Sequence, residues 1–173
     1  MKEYLKHDEW SIVEEGFIPE YNRISESIFS IGNGRFGQRA NFEEQYSGDT
    51  LLGNYLAGIY YPDKTKVGWW KIGYPEYFAK VLNASNWAGI NIDFEGEALD
   101  LAECEVEDFR RELNMKEGYL LRTFTAKMKS GRWCARSRSL AWESRDLTTM
   151  WLLGSEKIRT VLDTTGFVHV LVT

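Results

Sequence analysis

The sequence predicts an all-β protein, an antiparallel β-sandwich, on three observations. Aromatic residues reach 14%, with 7 Trp, 9 Tyr and 9 Phe, a composition that suits pleated, half-buried surfaces better than helical bundles. Apolar and polar residues alternate with a period of two in several short runs. Glycine-containing turns separate those runs at intervals of about 8–12 residues, the spacing of a sandwich or barrel. The length of 173 residues fits one domain, enough to bury about 70% of its unfolded surface.

The elements follow in order. Residues 28–31, the turn Gly32-Asn33-Gly34 and residues 36–42 read as a hairpin, since a β-branched and aromatic run meets a glycine-rich turn and a second extended run. Ile90, Ile92 and Phe94 alternate with Asn91 and Asp93, then Glu95-Gly96-Glu97 turns the chain into residues 98–101. That is a second hairpin with one wet face. Residues 119–128 place Leu120, Arg122 and Phe124 on one side and Tyr119, Leu121, Thr123 and Thr125 on the other, between a Lys116-Glu117-Gly118 turn and Ser130-Gly131. Only residues 25–27 and 75–80 have the composition of a short helical turn, and Asp63-Lys64 after Pro62 reads as a turn.

Charge and cysteine content narrow the function. Hydrophobic residues at 43% and charged residues at 27% are ordinary globular values, which argues against disorder. A net charge of -5 gives no general attraction to nucleic acid or anionic lipid. The first ten residues are polar, and no apolar run approaches the ~20 residues that cross a bilayer, so a cytoplasmic protein is expected. Cys104 and Cys134, with only His7 and His169 for company, supply too few ligands for a disulfide framework or a zinc site. No metal or cofactor is expected, and both thiols read as packing residues.

Two stretches could carry a function. Gly32-Asn33-Gly34-Arg35-Phe36-Gly37 matches G-x-G-x-x-G, the pattern of a phosphate-binding turn. A phosphate site needs a helix directly behind the glycines, and residues 38–46 have no helical apolar stripe, so a β-turn is expected. The other stretch, residues 46–78, holds nine of the 25 aromatic residues. Tyr60, Tyr61, Lys64, Trp69 and Trp70 are its candidates for a substrate-side or interface surface. Aromatic faces beside hydrogen-bonding groups suit sugar rings, and they suit packing against another domain equally. The acidic run Glu103, Glu105, Glu107 and Asp108 reads as a solvated face. Carboxylates are too numerous for spacing to pick out a glycosidase pair, and no nucleophile elbow is present, so no catalytic residue is assigned.

A collinear series of blocks resembles the N-terminal region of glycoside hydrolase family 65. The series comprises residues 10–12 (WSI), 26–34 (ESIFSIGNG), 36–44 (FGQRANFEE), 58–65 (GIYYPDKT), 83–87 (NASNW), 109–115 (FRRELNM) and 118–122 (GYLLR). The resemblance implies a β-sandwich of the supersandwich, galactose-mutarotase-like kind, standing before an (α/α)6 catalytic barrel. It further implies maltose, trehalose or kojibiose phosphorolysis, or hydrolysis, by the whole enzyme. In the phosphorylases, a general-acid Glu of the barrel acts on the glycosidic oxygen while inorganic phosphate, the co-substrate, attacks the anomeric carbon with inversion. That Glu lies beyond the 173 residues, so the resemblance carries no catalytic position onto this chain. The implied partners are the barrel and an α-linked glucose disaccharide; a second copy of the chain is expected instead from the unpaired strand edges of an incomplete sandwich.

Residues 131–173 are expected to form a distinct region. Residues 1–130 hold 15 Lys and Arg against 22 Asp and Glu, whereas the last 43 hold 6 against 4. The family pattern fades there, as it would for further divergent strands, a truncated gene or a reading-frame change near residue 131. An incomplete sandwich would expose strand edges and favour association or low solubility. Three functions are thus in view: the non-catalytic sandwich of an α-glucoside phosphorylase or hydrolase, a free-standing carbohydrate-binding module, and a nucleotide-binding protein using the glycine loop. The blocks of family sequence favour the first.

Overall fold

The computed structural model describes residues 4–66, 73–94, 96–131, 133–143, 151–161 and 169–172, with backbone alone for residue 133 and for those after 134. Its main sheet has six antiparallel strands. Two short ones, β1 (Leu5–His7) and β2 (Ser11–Glu15), lead in, and four long ones follow: β10 (Glu105–Asn114), β11 (Tyr119–Lys127), β12 (Trp133–Glu143) and β13 (Trp151–Val161), in the order β1-β2-β10-β11-β12-β13. Between β2 and β10 the chain makes a 3-10 turn (Pro19–Tyr21), helix α1 (Asn22–Ile28) and three smaller antiparallel sheets. These are β3 (Ile31–Gly32), β4 (Phe36–Gln38) and β5 (Asn54–Leu56); β6 (Tyr60–Lys64) with β7 (Tyr77–Val81); and β8 (Ile90–Phe94) with β9 (Glu97–Ala98), to which β14 (His169–Val172) adds along β8.

The predicted antiparallel sandwich is present, and alternation builds it. Along β11 the buried residues are Leu120, Arg122, Phe124 and Ala126, the set that the period of two places on one side. Along β10 a bulge intervenes. Pairing with β11 slips between Glu107 and Arg110, and Asp108 takes a positive φ of 51°. The extra residue turns both Glu107 and Asp108 outward and sends Phe109, Arg111 and Leu113 inward. Without the bulge, strict alternation from Val106 would have turned Asp108, Arg110 and Glu112 toward the core instead.

The buried face of the long sheet has two covers. Ile90, Ile92 and Phe94 from β8 and Leu99 and Leu101 from the loop after β9 pack with Phe42 on Phe109, Phe124, Ala126 and Cys134. Helix α1 covers the other end, where Phe29 and Ala40 meet Leu113 and Leu120. A fully buried apolar side chain contributes about 1.5–3 kcal/mol, so these two clusters are the main source of stability.

Several expectations are met and others need correction. The hairpin at residues 90–98 is present with Asn91 exposed, and the Glu103, Glu105, Glu107 and Asp108 run lies in solvent. The G-x-G-x-x-G segment is a turn followed by strand β4: Gly34 takes φ +86°, and the Asn33 side-chain oxygen accepts the N–H groups of Arg35 and Phe36. The strand predicted from residue 28 starts at Ile31 instead. Helix α1 continues through Ile28, and at its end the Glu26 carbonyl accepts the Ala40 N–H at 2.9 Å and the Ser27 carbonyl accepts the Ser30 hydroxyl at 2.7 Å, satisfying groups the helix would otherwise leave open. Residues 75–80 form no helical turn; Tyr77–Val81 is a strand, paired along its length with Tyr60–Lys64. Asp63-Lys64 likewise lies within β6, where Pro62 sits opposite Ala79. A two-stranded ribbon has outer edges on which the missing proline N–H costs no ladder bond.

Candidate functional site

The β6–β7 ribbon exposes both of its faces. Tyr60 and Tyr61, neighbours that point to opposite sides, are 60% and 57% exposed, and Phe78 and Val81 across the ribbon are 44% and 63% exposed. Of the 14 large apolar residues exposed among the described residues, 11 lie between positions 51 and 82. Lys64 is exposed at the ribbon's far end opposite Tyr77, and Lys80 lies 3.7 Å from Asp63. Exposed apolar patches of this density are the kind that mark interaction sites.

The root of the ribbon is fixed by side chains that bond to backbone. Asn83, where the chain leaves the ribbon, accepts the Asn54 N–H at 2.7 Å and donates to the Leu52 carbonyl at 2.9 Å. The Asn41 side chain accepts the Gly53 N–H at 3.0 Å, and Glu26 accepts the Leu51 N–H at 2.7 Å together with the Thr50 hydroxyl. Trp87 donates its indole N–H to Gln38 at 3.1 Å. Four of the recognisable sequence blocks therefore meet at this root: those containing Glu26, Gln38 and Asn41, Tyr60 and Tyr61, and Asn83 and Trp87.

Beneath the root lies a layer of buried charge. Arg122, 6% exposed, bonds to the carboxylates of Glu43 and Glu44, the latter at 2.6 Å. Arg111, 1% exposed, lies 3.4 Å from Glu14 and donates to Asn22 at 3.2 Å, while Ser25 donates to Glu14 at 2.9 Å. The Phe42 ring lies against both guanidinium groups, its centroid 5.3 Å from Arg111 and 4.5 Å from Arg122. Cations over an aromatic face gain from the ring's quadrupole, more so away from water. The layer ties α1 and the segment after β4 to the inner face of the long sheet.

The two Arg sites differ electrostatically. Burial works against charge at Arg122, yet Glu43 and Glu44 together hold its guanidinium more firmly protonated than usual. At the other pair burial dominates, pushing Glu14 up against the opposing pull of Arg111 and Ser25, and pulling Arg111 down. A carboxyl with a raised folded-state pKa binds its proton more tightly in the folded state than in the unfolded one. Its contribution to stability is complete below the ordinary value of 4.5 and is lost as the pH rises through the folded value. Urea midpoints of the native chain and of Glu14→Gln, compared upward from pH ~4, should show the native chain losing ground to the variant.

Of the residues that the sequence singled out, Tyr60, Tyr61 and Lys64 come together on the ribbon. Trp69 and Trp70 lie outside the described residues. The buried Glu14, Glu26, Glu43, Glu44 and Arg111 were not foreseen. The available signal was charge at inward-facing strand positions, as at Arg122 between Leu120 and Phe124. Among the described residues no cluster of His, Cys, Asp or Glu could hold a metal ion. No helix among the described residues has the length and apolarity to cross a membrane.

Comparison with known proteins agrees with this architecture. The family model for "Glycosyl hydrolase family 65, N-terminal domain" matches residues 12–141. A maltose phosphorylase of Bacillus subtilis (strain 168) is 52% identical over 122 residues, covering 70% of this chain and 16% of the relative. A kojibiose phosphorylase of Thermoanaerobacter brockii is 33% identical over 128 residues, covering 74% and 15%. A solved structure, that of a candidate kojibiose phosphorylase from the human microbiome, superposes with a TM-score of 0.74 at 34% identity, over 90% of this chain and 20% of that one. The chain thus spans about a sixth of the length of these curated relatives.

Proposed function

The chain belongs to the glycosyl hydrolase family 65 N-terminal domain family, and we propose that it is the non-catalytic sandwich of an α-glucoside phosphorylase, docking on a catalytic (α/α)6 barrel through the β6–β7 ribbon. The observation that carries this reading is the exposed apolar surface between residues 51 and 82, rooted in a cluster of family sequence blocks. The barrel would supply the general acid, an α-linked glucose disaccharide would be the substrate, and inorganic phosphate the co-substrate. The enzyme would be cytoplasmic, in keeping with two free thiols. Self-association would use the outer strands β1 and β13, each of which has a single neighbour among the described strands.

A chimera tests this reading. In the maltose phosphorylase relative, the aligned 122 residues are replaced by those of this chain. The chimera should melt as one unit and release glucose 1-phosphate from maltose and phosphate, and the 173-residue chain alone should release none. Tyr60→Ser, Tyr61→Ser and Phe78→Ser together should split the chimera's melting into two steps while leaving the melting of the isolated chain in place. A chimera indifferent to these three changes would remove the ribbon from the interface.

A further inference from the structure

A groove of about 740 Å³ opens between the 3-10 turn at Pro19–Tyr21 and the loop after β9, with Phe17, Tyr46, Leu101 and Val106 as its apolar walls and Glu20 and Asp49 among its lining residues. This volume falls in the ~300–1,000 Å³ range of small-molecule sites. Tyr46 is held within it. Its ring packs edge-on against Phe42 at 4.9 Å and Phe17 at 5.9 Å, and it crosses so close to Gly48 that a Cβ there would lie 2.4 Å from the phenol oxygen. The phenol, in contrast, makes no hydrogen bond with any described residue, while Glu20 and Asp49 are exposed, the Asp49 carboxylate with Arg23 3.5 Å away.

We propose that this groove is a second, non-catalytic sugar site that takes an α-glucoside of the maltose or malto-oligosaccharide class. A glucose ring presents a C–H face and a rim of hydroxyl groups. The face suits the walls of Phe17 and Tyr46, and the hydroxyls suit the two carboxylates and the unengaged phenol. The carboxylates disfavour an anionic ligand such as a sugar phosphate. Burial first, and then the surrounding Glu26, Asp49, Asp100 and Glu20, push the Tyr46 pKa further above its ordinary value of 10.0. A protonated phenol can both donate to and accept from a hydroxyl. The choice of maltose rests on the family reading above, whereas the existence of the site does not.

Calorimetric titration of the 173-residue chain with maltose and maltotriose tests the site. Saturable binding is expected, with Kd in the range of about 1–10 mM. Tyr46→Phe, which keeps the ring and removes only the hydroxyl, should weaken it about tenfold. Asp49→Asn, a change at an exposed position, should weaken it comparably, and Gly48→Ala should abolish it by displacing the ring. Tyr60→Ser with Tyr61→Ser should leave it unchanged. The proposal is overturned by an absence of saturable binding to the native chain, by binding indifferent to Tyr46→Phe and Asp49→Asn, or by binding that the ribbon substitutions remove. Displacement of bound sugar by an arginine-containing peptide at lower concentration would overturn it too, by giving the groove to a protein segment. None of these outcomes affects the chimera, so the sugar site and the docking role fail separately.

Discussion

Arg122→Met is expected to destabilise the chain by about 3–5 kcal/mol, the effect of removing one side of a buried ion pair. Domains of this size have only about 5–15 kcal/mol in total, so urea denaturation should find the variant partly or wholly unfolded under native conditions. The cause is the group left behind. Glu43 and Glu44 are 7% and 3% exposed, and without the guanidinium the two carboxylates remain near one another in a place water scarcely reaches. The triple variant Arg122→Met, Glu43→Gln, Glu44→Gln should therefore recover much of the loss, because the two buried side chains then carry no charge. A single variant as stable as the native chain would mean that the ion pairs do not hold this layer.

Phe42→Ala is expected to cost about 3–5 kcal/mol, the usual range for truncating a buried phenylalanine, and to loosen both Arg sites together. The ring is 4% exposed, belongs to the apolar cluster with Phe94, Leu99 and Phe109, and faces both guanidinium groups. Phe42→Leu keeps most of the apolar volume and loses the aromatic face, so its difference from Phe42→Ala separates packing from cation–π attraction. Hydrogen exchange should show early opening of residues 41–54 in both variants, and of α1 in the alanine variant. An opening confined to β8 and β9 would instead make Phe42 an ordinary core residue.

What the sequence disclosed and what it hid differ by range. The strand at residues 119–127 and the hairpin at residues 90–98 were legible, since alternation is written in consecutive residues and a Gly-containing turn marks each reversal. The sequence even placed Arg122 on the same side as Leu120 and Phe124. It could not name the partners, because Glu43 and Glu44 are 79 and 78 residues away. Residues 75–80 were misread for a related reason. Their strand conformation comes from the ladder with β6, more than ten residues upstream, and local composition carries no record of it.

The candidate surface was legible as a composition and not as a shape. Nine aromatic residues in positions 46–78 signal a surface for stacking or packing, and the structure leaves Tyr60, Tyr61 and Phe78 exposed on a two-faced ribbon. The family blocks at residues 36–44 and 83–87 contribute the side chains that fasten the ribbon's root. The Tyr46 groove is not legible in the sequence, because Phe17, Leu101 and Val106 converge on Tyr46 only after folding.

The most direct measurement of the docking role is amide hydrogen exchange over residues 59–82, compared between the isolated chain and the chimera. The isolated ribbon, with both faces in water and two strands only, should exchange quickly. In the chimera, slowed exchange is expected at residues 59–64 and 77–82, with the long sheet unchanged. Protection elsewhere on the sandwich, with the ribbon exchanging as fast as before, would contradict the assignment of this surface to the catalytic domain.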